Sequence, residues 1–262
     1  MLIQRVAVAA VGLPLLALLL WAPEPAFAVA LEVILAVAVF EMLRALAPDR
    51  PLSYALSAAA AVTLFVAIAR VTPALPLWSF LAVAALALAM ILRPGGRLGE
   101  SLGGWWITAS LYVGVLGAHL ALLRLEPEGQ GWLVVLLAAT FATDTGAYAA
   151  GRLFGRHILA PAISPNKTWE GAAGGLLAGG VAAVAVTLGI PSIEVEPVGL
   201  VLIALLPAAA IAGDLLESAL KRRMEVKDMS GLLPGHGGLM DRLDSVLVVG
   251  VCLYWIVRWL QI

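Results

Sequence analysis

Residues 131–150 read GWLVVLLAATFATDTGAYAA, twenty residues in which Asp144 is the one charged side chain. A run of this length and composition is typical of a helix that crosses a bilayer, because about 20 apolar residues span the hydrocarbon core. The whole chain is also rich in apolar residues and poor in charged ones: 62% of its 262 residues are hydrophobic and 13% are charged, with a mean hydropathy of +1.01. Soluble domains carry about 25% charged residues. The composition therefore excludes a soluble enzyme, a disordered chain and a free nucleic-acid-binding domain.

Eight further apolar runs predict an all-α, polytopic integral membrane protein with about nine transmembrane helices. Most breaks between the runs contain proline or glycine, which interrupt helices. We expect an N-terminal scaffold, residues 1–130, and a C-terminal region, residues 131–262, with polar loops at 151–170 and 217–244. The predicted spans are residues 6–21, 26–47, 53–71, 75–92, 104–123, 131–150, 171–190, 198–216 and 245–262.

The basic residues predict the orientation of these helices. If the N-terminus is cytoplasmic, thirteen of the sixteen Lys and Arg residues lie on the cytoplasmic side, and Arg70, Arg124 and Arg258 lie outside. The positive-inside rule therefore places the N-terminus in the cytoplasm. Arg5, the apolar stretch after it and residues 26–28 also resemble a cleavable signal peptide. That stretch is long for a signal peptide, and cleavage would leave the remaining topology unchanged.

Carboxylates inside apolar spans are costly and therefore mark candidate sites. Asp144 and Asp214 lie toward the cytoplasmic ends of two predicted spans. Asp241 and Asp244 stand at the cytoplasmic entry of the last span, on one helix face. Four carboxylates at one membrane depth would repel one another, and a hard cation such as Mg²⁺ relieves that repulsion. Ion pairs between these aspartates and nearby arginines are the alternative.

Other polar or small residues in the spans favour a structural interpretation. Glu32 and Glu41 in the second span are explained at least as well by snorkelling or helix packing as by function. Gly171, Gly175 and Gly179 recur every four residues, a spacing typical of close helix–helix packing in lipid.

The two polar loops are rich in groups that bind phosphate. Residues 164–171 (SPNKTWEG) offer a lysine, two hydroxyls and an amide just before a predicted helix, whose N-terminus attracts anions. An ordinary helix cap would look similar. The second loop has basic residues at 221–223, which an anchor to anionic lipid would also need. Its glycines around His236 are not needed by an anchor, and they let backbone approach a ligand closely.

Residues 218–244 resemble the signature of the phosphatidate cytidylyltransferases, the CDP-diacylglycerol synthases. The matching residues are SALKR at 218–222, KD at 227–228 and HGGLMDRLD at 236–244. Residues 144–148, 164–168 and 213–217 also look like this family's pattern, so the resemblance covers roughly residues 130–262. It implies a multi-pass enzyme that makes CDP-diacylglycerol and pyrophosphate from CTP and phosphatidic acid. It also implies Mg²⁺, with or without a second cation, and a homodimer.

The residue patterns and the resemblance together give the expected site. Its catalytic residues are Asp144, Lys167, Asp214, Lys221, Arg222, His236 and Asp241. Its metal ligands are Asp144, Asp214, Asp241 and Asp244. Its substrate-binding residues are Ser164, Asn166, Lys167, Thr168, Ser218, Lys221, Arg222, Lys227, Asp228, His236, Gly237, Gly238 and Arg242.

Two other functions remain open on the sequence. A CTP-dependent lipid or polyprenol kinase would have similar charge patterning but would transfer the γ-phosphate. An ion-coupled transporter would need carboxylates near the bilayer midplane and repeat symmetry between halves, and neither is visible. We expect the enzyme in the cell inner (plasma) membrane, with its site facing the cytoplasm and membrane lipid as a partner. No nucleic-acid partner is expected.

Overall fold

The computed structural model describes residues 2–72, 102–235 and 237–260. The predicted span at 75–92 and the predicted site residue His236 lie outside these residues. The chain falls into two compact units. The N-terminal unit comprises Met1–Leu122 and Val226–Asp241, and the C-terminal unit comprises Leu123–Glu225 and Arg242–Ile262.

The described chain is mostly helical, with one small β-hairpin. Six helical stretches, the last of them the whole of Pro197–Arg223, are long and apolar enough to cross a membrane, so the prediction of a multi-pass helical membrane protein is confirmed at this level. The count of nine spans and the cytoplasmic N-terminus stay predictions. The helices are α1 (Leu2–Trp21), α2 (Glu24–Leu46), α3 (Leu52–Val71), α4 (Leu102–Leu125), α5 (Gly129–Phe154), α6 (Trp169–Leu188), α7 (Pro197–Ala204), α8 (Leu206–Arg223) and α9 (Asp244–Leu260).

The core of the N-terminal unit is built from α2, α3 and α4. Leu35 of α2 is fully buried and lies directly against Gly117 of α4, where no side chain keeps the two helices apart. At Gly114 an added Cβ would lie 3.5 Å from Val62 of α3, an ordinary van der Waals contact. The glycines of α4 thus let its backbone approach α2 and α3 closely, as is common in membrane helix bundles.

One end of the α2–α3 pair carries an ion-pair group. Arg70, near the end of α3, pairs with Glu24 in the first turn of α2 and lies 3.9 Å from Glu32. In the C-terminal unit, Arg258 lies 4.0 Å from Glu126. The sequence analysis assigns Arg70 and Arg258 to the same outer side of the membrane. Each therefore has a carboxylate of its own unit within ion-pair distance.

Helices α5 and α6 of the C-terminal unit pack closely through small residues. An added Cβ at Gly175 would lie 2.9 Å from the Thr143 carbonyl oxygen, and one at Gly171 would lie 2.9 Å from the Ala147 carbonyl oxygen. Gly179 lies against the side-chain hydroxyl of Thr143 and the Ala139 carbonyl oxygen. The prediction that the four-residue glycine repeat serves close helix packing is therefore confirmed.

The chain between α5 and α6 forms a hairpin that the helical pattern does not predict. Strand β1 (Ile158–Ala160) pairs antiparallel with β2 (Ser164–Thr168). Further on, the predicted span 198–216 is interrupted: α7 ends at Ala204 and α8 begins at Leu206. Pro207 at the start of α8 has no N–H to donate to the preceding turn, which accounts for the break.

The segment Val226–Asp241 groups with the N-terminal unit, although the sequence analysis assigns it to the C-terminal region. The physical reason is a set of hydrogen bonds to Glu41 of α2, which accepts from Ser230 Oγ and from two backbone N–H groups of the segment. These contacts join residues about 190 positions apart in the chain, so local patterning gives no sign of them.

We expect Gly179→Ala to destabilise the C-terminal unit. The new Cβ would lie 2.7 Å from Pro207 Cγ and 2.9 Å from the Ala139 carbonyl oxygen, and overpacking of this kind costs about 1–3 kcal/mol. Thermal unfolding of the detergent-solubilised protein measures the effect. Gly12→Ala is the matched control because its Cβ would meet nothing within 4 Å. Equal unfolding midpoints for the two variants would contradict the packing argument.

Candidate metal and phosphate site

The site is built where α8 and α9 of the C-terminal unit approach each other. At Gly213 an added Cβ would lie 2.7 Å from the Asp244 carbonyl oxygen and 3.1 Å from Ser245 Cα. The hydroxyl of Ser245 donates to the Ala210 carbonyl oxygen of α8 at 3.1 Å. Because Asp214 follows Gly213 directly, this close approach brings its carboxylate beside Asp244.

Three carboxylates meet at this junction. One oxygen from each of Asp214, Glu217 and Asp244 can be chosen so that all three lie within 4.8 Å of one another. Asp214 and Glu217 share a face of α8 because they are three residues apart. Glu217 is buried, with 1% of its side chain exposed. Carboxylate oxygens are the ligands that Mg²⁺ prefers in proteins, so this donor set fits that ion.

Two lysines pair with these carboxylates. The Lys167 Nζ atom, from β2, lies 2.6 Å from Asp214 Oδ2. The Lys221 Nζ atom lies 2.6 Å from Glu217 Oε2, one turn along the same helix. A buried carboxylate such as Glu217 is costly unless an opposite charge or several hydrogen-bond donors satisfy it, and the Lys221 ammonium does so here. The lysines therefore offset the negative charge of these neighbouring carboxylates.

Asp144 and Arg242, two further predicted residues, extend the group. Asp144 of α5 interacts electrostatically with Asp214, Lys167 and Arg242. Asp244 interacts with Asp214, Asp144 and Lys221. The C-terminal unit thus brings together six of the predicted site residues from α5, β2, α8 and the start of α9: Asp144, Lys167, Asp214, Lys221, Arg242 and Asp244.

The hairpin β1–β2 carries Lys167 to this group, and its geometry is fixed at both ends. Glu170 at the start of α6 accepts hydrogen bonds from the backbone N–H groups of Arg156 and His157, and His157 Nδ1 lies 2.6 Å from its carboxylate. Thr168 caps α6 by accepting from Gly171 N at 3.1 Å. The bonds of Glu170 hold the residues just before β1, and the bond of Thr168 holds the end of β2, so both strands are fixed to the start of α6.

The other predicted residues of the hairpin and of α8 are placed as follows. Arg222 donates through Nε to the Ile163 carbonyl oxygen at 3.1 Å, which ties α8 to the hairpin turn. Ser164 and Ser218 are half-buried, and Asn166 is exposed. A ligand role for Ser164, Asn166 and Ser218 stays a prediction.

Asp241 is placed differently from the other predicted metal ligands, because it belongs to the N-terminal unit. Its carboxylate accepts hydrogen bonds from Met229 N at 3.1 Å and Gly238 N at 2.7 Å. Gly237 has a φ of +84°, a left-handed conformation in which a side chain is strained. Oδ2 of Asp241 accepts both of these hydrogen bonds, and Oδ1 lies 3.4 Å from Met229 N. The role of Asp241 as a metal ligand stays a prediction.

The remaining predicted residues of this segment, Lys227 and Asp228, are exposed. Exposure is compatible with contact to a soluble anion, and a substrate-binding role for Lys227 and Asp228 stays a prediction.

Comparison with known proteins identifies the family. The model of the cytidylyltransferase family matches residues 3–260. The chain belongs to the cytidylyltransferase family. The match extends through α1–α4, where the sequence analysis found only hydrophobic similarity.

Several curated relatives of this cytidylyltransferase-family protein carry the name phosphatidate cytidylyltransferase. The relative from Mycobacterium bovis is 44% identical over 137 residues, which are 52% of this chain and 44% of the relative. That from Mycobacterium leprae is 46% identical over 136 residues, covering 52% and 43%. That from Brucella suis is 43% identical over 155 residues, covering 58% and 56%. The chain therefore spans about half the length of these relatives.

Sequence reasoning missed Glu217 as a member of the carboxylate group in this family member. The signal was present, because Glu217 stands three residues after Asp214 and four before Lys221, so all three share one helix face. The sequence analysis includes Glu217 only in the family-like stretch 213–217 and gives it no role. The structure shows instead that it is buried beside Asp214 and Asp244.

For Thr168, the structure indicates a helix cap, and we expect Thr168→Ala to lower the free energy of unfolding by about 0.5–2 kcal/mol. Thr168→Ser keeps the hydroxyl acceptor for Gly171 N and should retain most of the stability. Thermal unfolding without any substrate measures both variants. An unchanged midpoint for Thr168→Ala would show that the hydroxyl does not stabilise α6.

Proposed function

We propose that this protein transfers the cytidylyl group of CTP to phosphatidic acid and releases pyrophosphate, giving CDP-diacylglycerol for phospholipid biosynthesis. The observation that carries the proposal is the group of carboxylates and lysines at the α8–α9 junction, in a chain of the cytidylyltransferase family. The names of the curated relatives support the same activity.

The reaction joins two anions, so charge has to be neutralised before they can meet. A phosphate oxygen of phosphatidic acid attacks the α-phosphorus of CTP. The bond from that phosphorus to the oxygen bridging to the β-phosphate breaks, and pyrophosphate leaves with the electron pair. Transfers of this kind depend mainly on positioning and on stabilising the phosphate oxygens. Lys167, Lys221 and Arg242 are the cationic side chains of the described group that can serve those oxygens.

Mg²⁺ is the cofactor that the carboxylate group fits. Asp214, Glu217 and Asp244 would hold it. Asp144 interacts electrostatically with Asp214, and we propose that it contributes as a further ligand. When bound, a divalent cation supplies positive charge to phosphate oxygens and helps to orient them. Asp241 enters this proposal only if its carboxylate leaves the backbone donors that it now accepts from.

The membrane setting is part of the same proposal. We infer that the N-terminus is cytoplasmic and that the protein lies in the inner (plasma) membrane. The site would then lie on the cytoplasmic side of that membrane, and CTP is available in the cytoplasm. Phosphatidic acid would present its phosphate at headgroup level while its acyl chains stay in lipid. A homodimer is also part of the proposal and rests on the family resemblance.

Labelled CTP tests the reaction and separates it from a lipid kinase. We expect purified protein, phosphatidic acid and Mg²⁺ to transfer radioactive phosphorus to lipid from [α-³²P]CTP, with label from [γ-³²P]CTP appearing in pyrophosphate. In a parallel reaction with diacylglycerol or a polyprenol, whose hydroxyl can accept a phosphate, lipid labelled from the γ-position with CDP released would establish the kinase instead. If neither [α-³²P]CTP nor [γ-³²P]CTP labels the lipid, the proposed function is overturned.

We expect Asp214→Asn to weaken binding of Mn²⁺, a spectroscopic substitute for Mg²⁺, by about tenfold or more, because it removes a charged oxygen ligand. Electron paramagnetic resonance of free Mn²⁺ measures the binding without any substrate. Glu217→Gln should have a similar effect.

Glu194→Gln is the matched control, since Glu194 is an exposed carboxylate outside the site. Equal Mn²⁺ affinity in wild-type protein and in all three variants would contradict the metal assignment.

A further inference from the structure

Glu41 of α2 is a buried carboxylate for which the proposed mechanism gives no role. It is 6% exposed, and within the described residues it accepts hydrogen bonds from positions 230, 239 and 240. Oε1 accepts from Ser230 Oγ at 2.5 Å, while Oε2 accepts from Leu239 N at 2.7 Å and from Met240 N at 3.2 Å. Burying a carboxylate is expensive unless several donors satisfy it, and these three donors do so.

The segment that Glu41 holds is Met229–Asp241, and its fit to the carboxylate is close. An added Cβ at Gly238 would lie 2.9 Å from Glu41 Oε2, so glycine is required for this approach. Leu232 N donates to Ser230 Oγ at 3.0 Å. The hydroxyl of Ser230 therefore links the carboxylate to the backbone at the beginning of the segment.

Asp241 fastens the same segment from within. Its carboxylate joins Met229 N to Gly238 N, and Leu233 N donates to the Gly237 carbonyl oxygen at 2.9 Å. Asp241 thus closes the segment into a loop, and Glu41 fixes that loop to α2. Both carboxylates act on backbone donors, which sets the path of the chain rather than the position of one side chain.

We propose that Glu41 is a positioning residue for the proposed reaction, acting by holding the glycine-rich loop Met229–Asp241 in its working conformation. This inference rests on the proposed function. The loop belongs to the stretch 218–244 that carries the family resemblance, and Lys221 precedes it while Asp244 follows it by three residues. Glu41 lies outside the resemblance at residues 130–262, so sequence similarity to the signature gives it no role.

The chemistry of the carboxylate gives a sharp set of variants. Glu41→Gln keeps an oxygen that can accept from Leu239 N and Met240 N, and its amide can donate to the Ser230 hydroxyl. Glu41→Ala removes every one of these bonds. Ser230→Ala removes one bond from Glu41 and keeps α2 unchanged. Glu32→Ala, on the same helix, is the matched control, because Glu32 interacts with Arg70 and not with the loop.

A spin label on the loop measures its order independently of activity. Leu232 is 56% exposed, and Cys252 is the one cysteine of the chain, so Leu232→Cys in a Cys252→Ala background gives a single labelling site. Electron paramagnetic resonance then reports label mobility in each variant. Size-exclusion chromatography and thermal unfolding test whether each variant is folded. If Glu41→Ala does not fold, Ser230→Ala replaces it as the test variant.

We expect Glu41→Ala to make the label more mobile and to lower kcat/KM for CTP by about tenfold or more, because displacements near 1 Å can cost 100-fold in rate. Ser230→Ala should show smaller changes of both kinds. Glu41→Gln should restore loop order and most of the activity, and Glu32→Ala should resemble the wild-type protein in both measurements.

Three outcomes would overturn the inference. An unchanged label spectrum in Glu41→Ala would show that Glu41 does not order the loop. A mobile loop with unchanged kcat/KM would show that loop order is not needed for turnover. Equal losses in Glu32→Ala would indicate general destabilisation. If wild-type protein does not transfer the cytidylyl group, the proposed function fails, whereas the label still tests whether Glu41 holds the loop.

Discussion

The structure depends on one constraint: a charged carboxylate in an apolar helical chain has to be satisfied by a specific partner. The bilayer offers no water to stabilise it, so an unpaired acid inside a span is costly. The chain meets this constraint in two ways. Glu217 and Asp214 are paired with Lys221 and Lys167, whereas Glu41 is satisfied by a hydroxyl and two backbone N–H groups. These pairings hold distant segments together. The Asp214–Lys167 pair joins α8 to β2, and the Glu41 bonds join α2 to the loop at Ser230 and Leu239.

Glycine makes these pairings geometrically accessible. Gly213 lets α9 approach α8 so closely that Asp214 and Asp244 become neighbours, and Gly238 lets the loop backbone reach Glu41. Gly213 directly precedes Asp214, and Gly238 lies against the Glu41 carboxylate. Side chains at these positions would separate the acids from their partners before any chemistry could begin. The small residues of this chain therefore set the polar geometry as well as the helix packing.

The sequence predicts the local features well and the long-range ones poorly. The apolar runs and their proline and glycine breaks locate the described helices, and the polar clusters identify Asp144, Asp214 and Lys167. The hairpin at Ile158–Thr168 is missed because its strands are only three and five residues long, too short to show the alternating pattern of a strand. The contact of Glu41 with Leu239 is missed because hydrophobic periodicity describes one helix at a time, and the two residues are separated by nearly the whole chain.

The formal charges of the site give a physical reason for a cation that is independent of the family. The described group contains four carboxylates, Asp144, Asp214, Glu217 and Asp244, and three cationic side chains, Lys167, Lys221 and Arg242. With all of these ionised, the group carries one net negative charge and would repel a triphosphate. A single divalent cation reverses that sign and also relieves the repulsion among the acids. The lysines could then interact with phosphate without leaving the carboxylates uncompensated. Without a cation, these carboxylates would repel the triphosphate of the proposed substrate CTP. With a bound divalent cation, the same carboxylates would allow the site to bind a metal–nucleotide complex.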